Sequence, residues 1–201
     1  MKLDDKKKHK KNMQQLKKNV ERSINRANIS RGVGVFLTGN GKGKTSSAFG
    51  MAIRALGYEH QVAIVQFIKG KQVSGEEAFI RKNYPDLTFY QMNTGFTWDT
   101  QDREKDKLAA EKTWKFAKKI LMQKKYHLVI LDELTYMLSF KYLSEAEVIS
   151  TLKNRPENQS VVVTGRGGGK ALRDWADTVS EVKDIKHAFN ARIMAREGVD
   201  Y

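Results

Sequence analysis

The sequence predicts an α/β protein built on a parallel sheet of about six strands, with helices on both faces. Three observations favour this class. Short apolar runs of strand length recur along the chain, amphipathic segments of helix length separate them, and glycine-rich loops follow several of the runs. The 201 residues are enough for one such domain with a sizeable core.

The first run, Val33 to Leu37, reads as a buried strand, and a glycine-rich loop follows it. Residues 46–56 then predict a helix whose inward side chains are Ala48, Phe49, Ala52, Ile53 and Leu56. Further strands are predicted at 62–68, 87–92, 128–131, 160–164 and 178–182. Further helices are predicted after Ser74, over 102–123, from Ser144 to 152 and over 171–176. Ser74 with Glu77, and Ser144 with Glu147, have the spacing of capping boxes.

Residues 1–31 predict a separate basic segment before a domain at 32–201. The lysine-rich residues 1–11 are expected to lack regular structure, whereas apolar residues from Met13 to Ala27 recur at helical spacing. Residues 1–31 carry eleven Lys and Arg against three acids, a large share of the net charge of +14. A basic tail is compatible with nucleic-acid binding, but no aromatic residues interleave these lysines, so a solvated segment is favoured.

Composition excludes several classes of protein. The chain contains no cysteine, which rules out disulfides, iron–sulfur clusters and thiolate metal sites and fits the cytoplasm. No apolar stretch approaches the length of a membrane span, and the lysine-rich start has no apolar signal region, so export is not expected. The four histidines share no metal-ligand spacing.

The glycine loop, residues 39–43, is the strongest signal for function. Gly39, Asn40, Gly41, Lys42 and Gly43 follow the first strand, and Lys44 and Thr45 open the next helix. Glycines let consecutive backbone N–H groups face one anion, and the helix start adds its dipole. The pattern predicts a P-loop NTPase-like (RecA-like) fold that binds a nucleotide, with Lys44 on the phosphates and Thr45 on Mg²⁺. The glycines stand one residue closer than in the usual pattern, which favours a nucleotide held in an unusual way.

The run at 128–131 ends in Asp132 and Glu133. In a phosphate-loop fold such a strand lies beside the loop strand, so these carboxylates face the metal ion or its waters. Thr45, Glu133 and Asp132 are therefore the candidate metal ligands.

Two other basic residues are candidates for nucleotide binding. Arg166 lies in a second glycine loop, residues 165–169, where its planar fork can hold phosphate, although a flexible turn without a ligand is an equal alternative. Arg54 is placed two helical turns past the glycine loop and reaches either phosphate or only the surface. Phe96 and Trp98 sit in a polar loop, either as plugs of the core or as an apolar wall over a flat ligand.

Taken together, the motifs resemble those of one known family. They are the segment from Thr38 to Thr45, Val65 to Gly70, Thr94 to Trp98, Leu131 to Tyr136, Val163 to Gly167 and Lys186 to Phe189. In this order they are similar to the phosphate-loop class of ATP:corrinoid adenosyltransferases, over about residues 31–201.

The resemblance implies transfer of the 5′-deoxyadenosyl group of ATP to the cobalt of cob(I)alamin or a related corrinoid, with release of triphosphate. It implies Mg²⁺ or Mn²⁺, with ATP bound in reversed polarity along the loop. It also implies that Phe96 and Trp98 pack below the corrin and displace its lower axial ligand. Flavodoxin or a flavin reductase would donate the electron, and the enzyme would be a homodimer whose N-terminal helix covers the corrinoid.

Two other functions are compatible with the residues alone. A generic P-loop ATPase or small-molecule kinase would release ADP and ignore corrinoids. A nucleic-acid-binding ATPase would use the basic tail, and its binding would fall steeply with salt.

Overall fold

A computed structural model of the protein describes residues 3–68, 73–92 and 102–201, with side chains from residue 5 onwards. Its backbone divides into two units, residues 1–30 and residues 31–201. The first unit carries helix α1, Leu3–Arg26. The expectation that residues 1–11 lack regular structure is wrong from Leu3 onwards, because lysine has a high intrinsic helix propensity and extends the amphipathic helix backwards.

The second unit is built on a six-stranded sheet. Its strands are β1 Gly34–Thr38, β2 Val62–Gln66, β3 Thr88–Gln91, β4 Leu128–Asp132, β5 Ser160–Thr164 and β6 Thr178–Glu181. They lie in the order β3-β2-β4-β5-β1-β6, and every neighbouring pair is parallel. The predicted α/β class with a parallel sheet is confirmed.

The helices are α2 Lys44–Leu56, α3 Gly75–Asn83, α4 Arg103–Leu121, α5 Leu134–Ser139, α6 Glu145–Lys153 and α7 Lys170–Trp175, with a 3₁₀ turn at Ala188–Ala191. Ser74 and Ser144 accept hydrogen bonds from the backbone N–H groups of Glu77 and Glu147, as the capping spacing predicts. The inward prediction for Ile53 is wrong, since its side chain is 43% exposed and Ala55 is buried on α2 instead.

Alternation along the strands places the core on both faces of the sheet. Val129 and Leu131 of β4 contribute to one cluster, together with the buried faces of α4, α5, α6 and α7. Leu128 and Ile130 contribute to the other, together with α2 and α3. Successive side chains of a strand point to opposite faces, so a continuous apolar run is what a sheet covered on both sides requires.

The register of the sheet brings the carboxyl ends of its central strands to one edge. Leu37 pairs with Thr164 and Gln66 pairs with Asp132, so β1, β2, β4 and β5 all end at the same level. Ligands of open α/β sheets bind at this edge. Within the described residues, none of the helices is long and apolar enough to cross a membrane.

An ion pair ties the start of this unit to the sheet edge at β6. Arg31 donates through Nη1 to Asp177 Oδ2 (2.9 Å) and through Nη2 to Oδ1, and the Gly34 N–H also donates to Oδ2 (2.8 Å). The Arg31 hydrogen bond, supported by the one from Gly34, lowers the pKa of Asp177 to about 2. The carboxylate is therefore more stable ionised in the folded protein than in the unfolded chain.

We expect Asp177→Asn to lower the free energy of unfolding at neutral pH, with a drop in melting temperature on the order of a few degrees because the pair is partly exposed. The deficit relative to the wild type should be full above about pH 5 and should vanish as pH falls towards 2, since a depressed pKa stabilises only where the carboxylate is ionised. Urea unfolding as a function of pH measures this. The exposed Asp174 of α7, changed to Asn, is the matched control, and an equal deficit at pH 3 and pH 7 would contradict the account.

Candidate active site

A cleft of about 610 Å³ opens at the carboxyl edge of the sheet. Its walls come from residues 40–46, the ends of β2 and β4, the start of α3, Tyr136 and Arg166. Three residues from the last part of the chain, His187, Asp200 and Tyr201, complete the lining. The cleft therefore unites the glycine loop, Lys44, Thr45, Asp132, Glu133 and Arg166, which the sequence places far apart.

The glycine loop requires glycine at certain positions for two reasons, its backbone conformation and its close contact with the chain behind it. Gly39 and Gly43 have φ of 99° and 115°, in the left-handed region that favours glycine. A Cβ on Gly39 would lie 2.3 Å from the carbonyl oxygen of Val182, and one on Gly41 would lie 2.7 Å from Lys183 backbone atoms. The Gly41 N–H donates to Val182 O (2.8 Å). The backbone of the residues that follow β6 thus packs against the loop and stabilises it.

Lys44 is the first residue of α2, and its side chain is buried under the loop. Its Nζ donates to the Gly41 carbonyl oxygen (2.8 Å). Burial lowers the pKa of Lys44, and the carboxylate of Glu133 opposes that change. An ammonium group held here, at the start of a helix, is positioned to meet an anion in the cleft.

Asp132, at the end of β4, is hydrogen-bonded to the ends of β2 and β5 and to the start of α2. Its Oδ1 accepts hydrogen bonds from the hydroxyls of Thr45 (3.0 Å) and Thr164 (2.6 Å), and its Oδ2 accepts one from Gln66 Nε2 (2.9 Å). The carboxylate is 2% exposed. With both oxygens engaged, Asp132 is fixed in orientation and holds the Thr45 hydroxyl beside the cleft.

A chain of polar side chains continues outwards from Gln66. Gln91 Nε2 donates to Gln66 Oε1 (2.8 Å) and to Glu77 Oε2 (2.9 Å), and Arg81 donates to Glu77 Oε1 (2.8 Å). These bonds link Asp132 to β3 and to α3. A network of hydrogen-bonded side chains, buried at Gln66 and Glu77, restricts the arrangement of its members, so it stabilises the orientation of Asp132.

Glu133 differs from its neighbour. Its backbone has φ of 57°, an unfavourable conformation for a non-glycine residue, and its N–H donates to Thr164 Oγ1 (3.0 Å). Its Oε2 is buried and has no hydrogen-bond partner among the described residues. Burial, followed by the charge of Asp132, raises the pKa of Glu133 to about 7, although Lys44 and Arg166 lower it. An unbonded buried carboxylate oxygen in a cleft suits a cation.

The second glycine loop is tied to its surroundings through its backbone. Thr38 Oγ1 donates to Gly167 O (2.7 Å), and Thr135 Oγ1 donates to Arg166 O (2.8 Å). A Cβ on Gly168 would lie 2.6 Å from the ring of Phe36. The backbone of this loop is thus packed and hydrogen-bonded, while the Arg166 side chain is exposed and lines the cleft.

The structure does not bring Arg54 to the glycine loop. Arg54 lines a separate cavity of about 490 Å³ near the starts of β1, β4 and β5, together with Tyr58 and the stacked rings of His60 and His127. This cavity lies towards the opposite edge of the sheet. Arg54 reaches it, and not the glycine loop, because Arg54 belongs to the last turn of α2, far from the loop that precedes the helix.

Phe96 and Trp98 lie outside the described residues, as do residues 69–72. Their predicted roles therefore remain predictions. Within the described ranges there is also no group of three or more His, Asp or Glu side chains arranged to hold a metal ion. Among the oxygen-bearing side chains that line the cleft, the Thr45 hydroxyl and the Glu133 carboxylate suit a hard cation.

Sequence reasoning missed several residues of the site. Thr164 and Gln66 end buried strands, and a polar residue at such a position is a recognisable signal. His187 lies in the segment Lys186 to Phe189, which carries part of the family resemblance, but it received no role. Nothing local links Asp200 and Tyr201 to a loop some 150 residues earlier.

Comparison with known proteins agrees with this geometry. The family described as ATP:corrinoid adenosyltransferase BtuR/CobO/CobP matches residues 30–201. A corrinoid adenosyltransferase of Escherichia coli K12 is 45% identical over 188 residues, which cover 94% of this chain and 95% of that protein. Corrinoid adenosyltransferase CobA of Salmonella typhimurium LT2 matches at the same identity and coverage.

A corrinoid adenosyltransferase of Pseudomonas aeruginosa PAO1 is 46% identical over 193 residues, 96% of this chain and 95% of its own length. The matches extend along nearly the whole chain and include every element that builds the cleft. The protein belongs to the ATP:corrinoid adenosyltransferase family.

Proposed function

We propose that this protein transfers the 5′-deoxyadenosyl group of ATP to the cobalt of cob(I)alamin or a related corrinoid, in the biosynthesis or salvage of adenosylcobalamin. The observation that carries the proposal is the cleft itself: a glycine loop, a buried lysine and two carboxylates meet there in a chain whose residues 30–201 match this family.

The proposed step is a displacement at carbon. The electron pair of Co(I) attacks C5′ of ATP, a Co–C bond forms, and the C5′–O bond breaks with its electrons passing to the leaving triphosphate. Cobalt is formally oxidised to Co(III). A nucleophile of this strength requires no general base. The protein is required instead to orient C5′ towards cobalt and to neutralise the leaving group.

Lys44 is the central residue for that neutralisation. Its ammonium group donates a hydrogen bond to Gly41 O and turns to the triphosphate when the nucleotide enters. Arg166 faces the same cleft and adds a planar fork of donors. Asn40 and the remaining N–H groups of residues 39–43 contribute dipoles without a need to rearrange at the moment of reaction.

A divalent ion, Mg²⁺ or Mn²⁺, fits the oxygens in the cleft. Thr45 Oγ1 and Glu133 would hold it, and Asp132, already bonded to Thr45, would fix the geometry. The ion would supply further positive charge to the triphosphate.

Several parts of the proposal rest on the family resemblance alone. Phe96 and Trp98 would pack below the corrin and displace its lower axial ligand, which makes Co(II) easier to reduce. Reduced flavodoxin or a flavin reductase would donate the electron. The enzyme would act as a homodimer in the cytoplasm.

The direct test is an anaerobic assay in the dark with ATP, Mg²⁺ and chemically reduced cob(I)alamin. We expect a light-sensitive cobalt–carbon product with the absorbance of adenosylcobalamin. Unchanged corrinoid alongside turnover of ATP would contradict the proposal and favour an ATPase.

Lys44→Ala should lower kcat/KM in this assay by about 100-fold or more, because the charge that stabilises the leaving triphosphate is lost. Lys153→Ala, in the last turn of α6, removes the same charge away from the cleft and should leave the rate unchanged. Near-normal turnover by Lys44→Ala would remove the glycine loop from the mechanism.

Glu133→Gln should weaken the binding of Mn²⁺ in the presence of ATP by about tenfold or more, as measured by electron paramagnetic resonance of the free ion. Glu76→Gln is the control, since Glu76 also lines the cleft but its carboxylate accepts a hydrogen bond from Ser46. Equal losses in both variants would mean that the general negative charge of the cleft, and not Glu133 as a ligand, attracts the ion.

A further inference from the structure

Lys42, the additional cation of the glycine loop, contacts a residue from the far end of the sequence. Its Nζ lies 2.9 Å from Oδ1 of Asp200, and the two side chains are 46% and 26% exposed. Both residues line the cleft that contains Lys44 and Thr45. A carboxylate therefore already holds a cation that a triphosphate in this cleft would attract.

A tight turn, residues 196–201, holds Asp200 in place. The Asp200 N–H donates to Arg196 O (2.7 Å), and the Arg196 N–H donates to Asp200 Oδ2 (2.9 Å). Gly198, with φ of 78°, allows the chain to reverse, and its N–H donates to Tyr201 O (2.9 Å). One oxygen of Asp200 is thus anchored to the turn, and the other faces Lys42.

The charge state of Asp200 fits this arrangement. The backbone hydrogen bond from Arg196, followed by the one from Lys42, lowers the pKa of Asp200, and the nearby His187 acts in the same direction. Asp200 is therefore ionised at neutral pH. An ionised carboxylate on the wall of a cleft for triphosphate repels that ligand unless a cation neutralises it.

We propose that Asp200 is a positioning residue that holds Lys42 in the empty cleft, yields it to the triphosphate of ATP, and takes it back when the product leaves. Triphosphate, with its several negative charges, outcompetes one carboxylate while it is bound. As it leaves, the return of Lys42 to Asp200 removes one of the attractions that held it in the cleft. The exchange lowers affinity for the product and keeps it from inhibiting the enzyme.

This inference rests on the proposed function only in that the cleft binds ATP and inorganic triphosphate. Calorimetric titration of each ligand with Mg²⁺, in the absence of corrinoid, therefore tests it apart from the transfer reaction. A wild-type protein that binds neither ligand would contradict both proposals together. A wild-type protein that binds them allows the role of Asp200 to be judged separately.

We expect Asp200→Asn to tighten the binding of inorganic triphosphate by about three- to fivefold, the size of effect that a partly exposed ion pair has. Asp200→Glu should restore the wild-type affinity, and Lys42→Ala should weaken binding. In the Lys42→Ala background, Asp200→Asn should tighten binding by a smaller factor, because it then relieves only the direct repulsion by the carboxylate and no longer frees a competing cation. Steady-state kinetics should show stronger inhibition of Asp200→Asn by added triphosphate.

Asp184→Asn is the matched control, since it removes an exposed carboxylate from the same part of the chain. Weaker binding by Asp200→Asn would overturn the inference and make the ion pair a brace of the loop. An unchanged affinity, or an equal gain with and without Lys42, would also overturn it. Melting temperatures of all variants confirm that the differences arise in folded protein.

Discussion

The hydrogen bonds of Asp132 are the constraint on which the rest of the site depends. One carboxylate at the end of β4 receives the hydroxyls of Thr45 and Thr164 and the amide of Gln66. These donors come from the start of α2 and from the ends of β5 and β2. The parallel register makes the junction possible, because it brings these strand ends to one level. The junction in turn fixes the distance between the glycine loop and the carboxylates.

Because Asp132 is fully engaged, the adjacent Glu133 takes the opposite role. Its left-handed backbone turns the chain into α5, and its buried Oε2 has no partner among the described residues. Lys44 and Arg166 lower the pKa of Glu133, while burial and Asp132 raise it to about 7. The two neighbouring carboxylates thus have different roles. Asp132 organises the site, and Glu133 is available to a ligand. A cleft in which cations and an available carboxylate face each other suits a nucleotide with its metal ion.

The sequence predicted the parts of this arrangement that depend on local chemistry. Continuous apolar runs such as 128–131 indicated a parallel sheet, and the spacing of glycines before Lys44 and Thr45 indicated the glycine loop. Contacts between residues distant in sequence could not be predicted in this way. The pairing of Lys42 with Asp200 depends on where the chain returns after β6, and Arg54 is separated from the loop by the length of α2. The charge of residues 1–11 led to the expectation that they lack regular structure. Helix α1 begins at Leu3 instead, because lysine has a high helix propensity.

The proposed reaction requires the cleft to stabilise an intact triphosphate as the leaving group of adenosyl transfer. Phosphorus NMR of the products of a single turnover with ATP and cob(I)alamin, under anaerobic conditions in the dark, tests this most directly. We expect one inorganic triphosphate for each adenosylcobalamin formed. ADP with inorganic phosphate as the initial products would contradict it, because cleavage would then occur between phosphates and not at C5′.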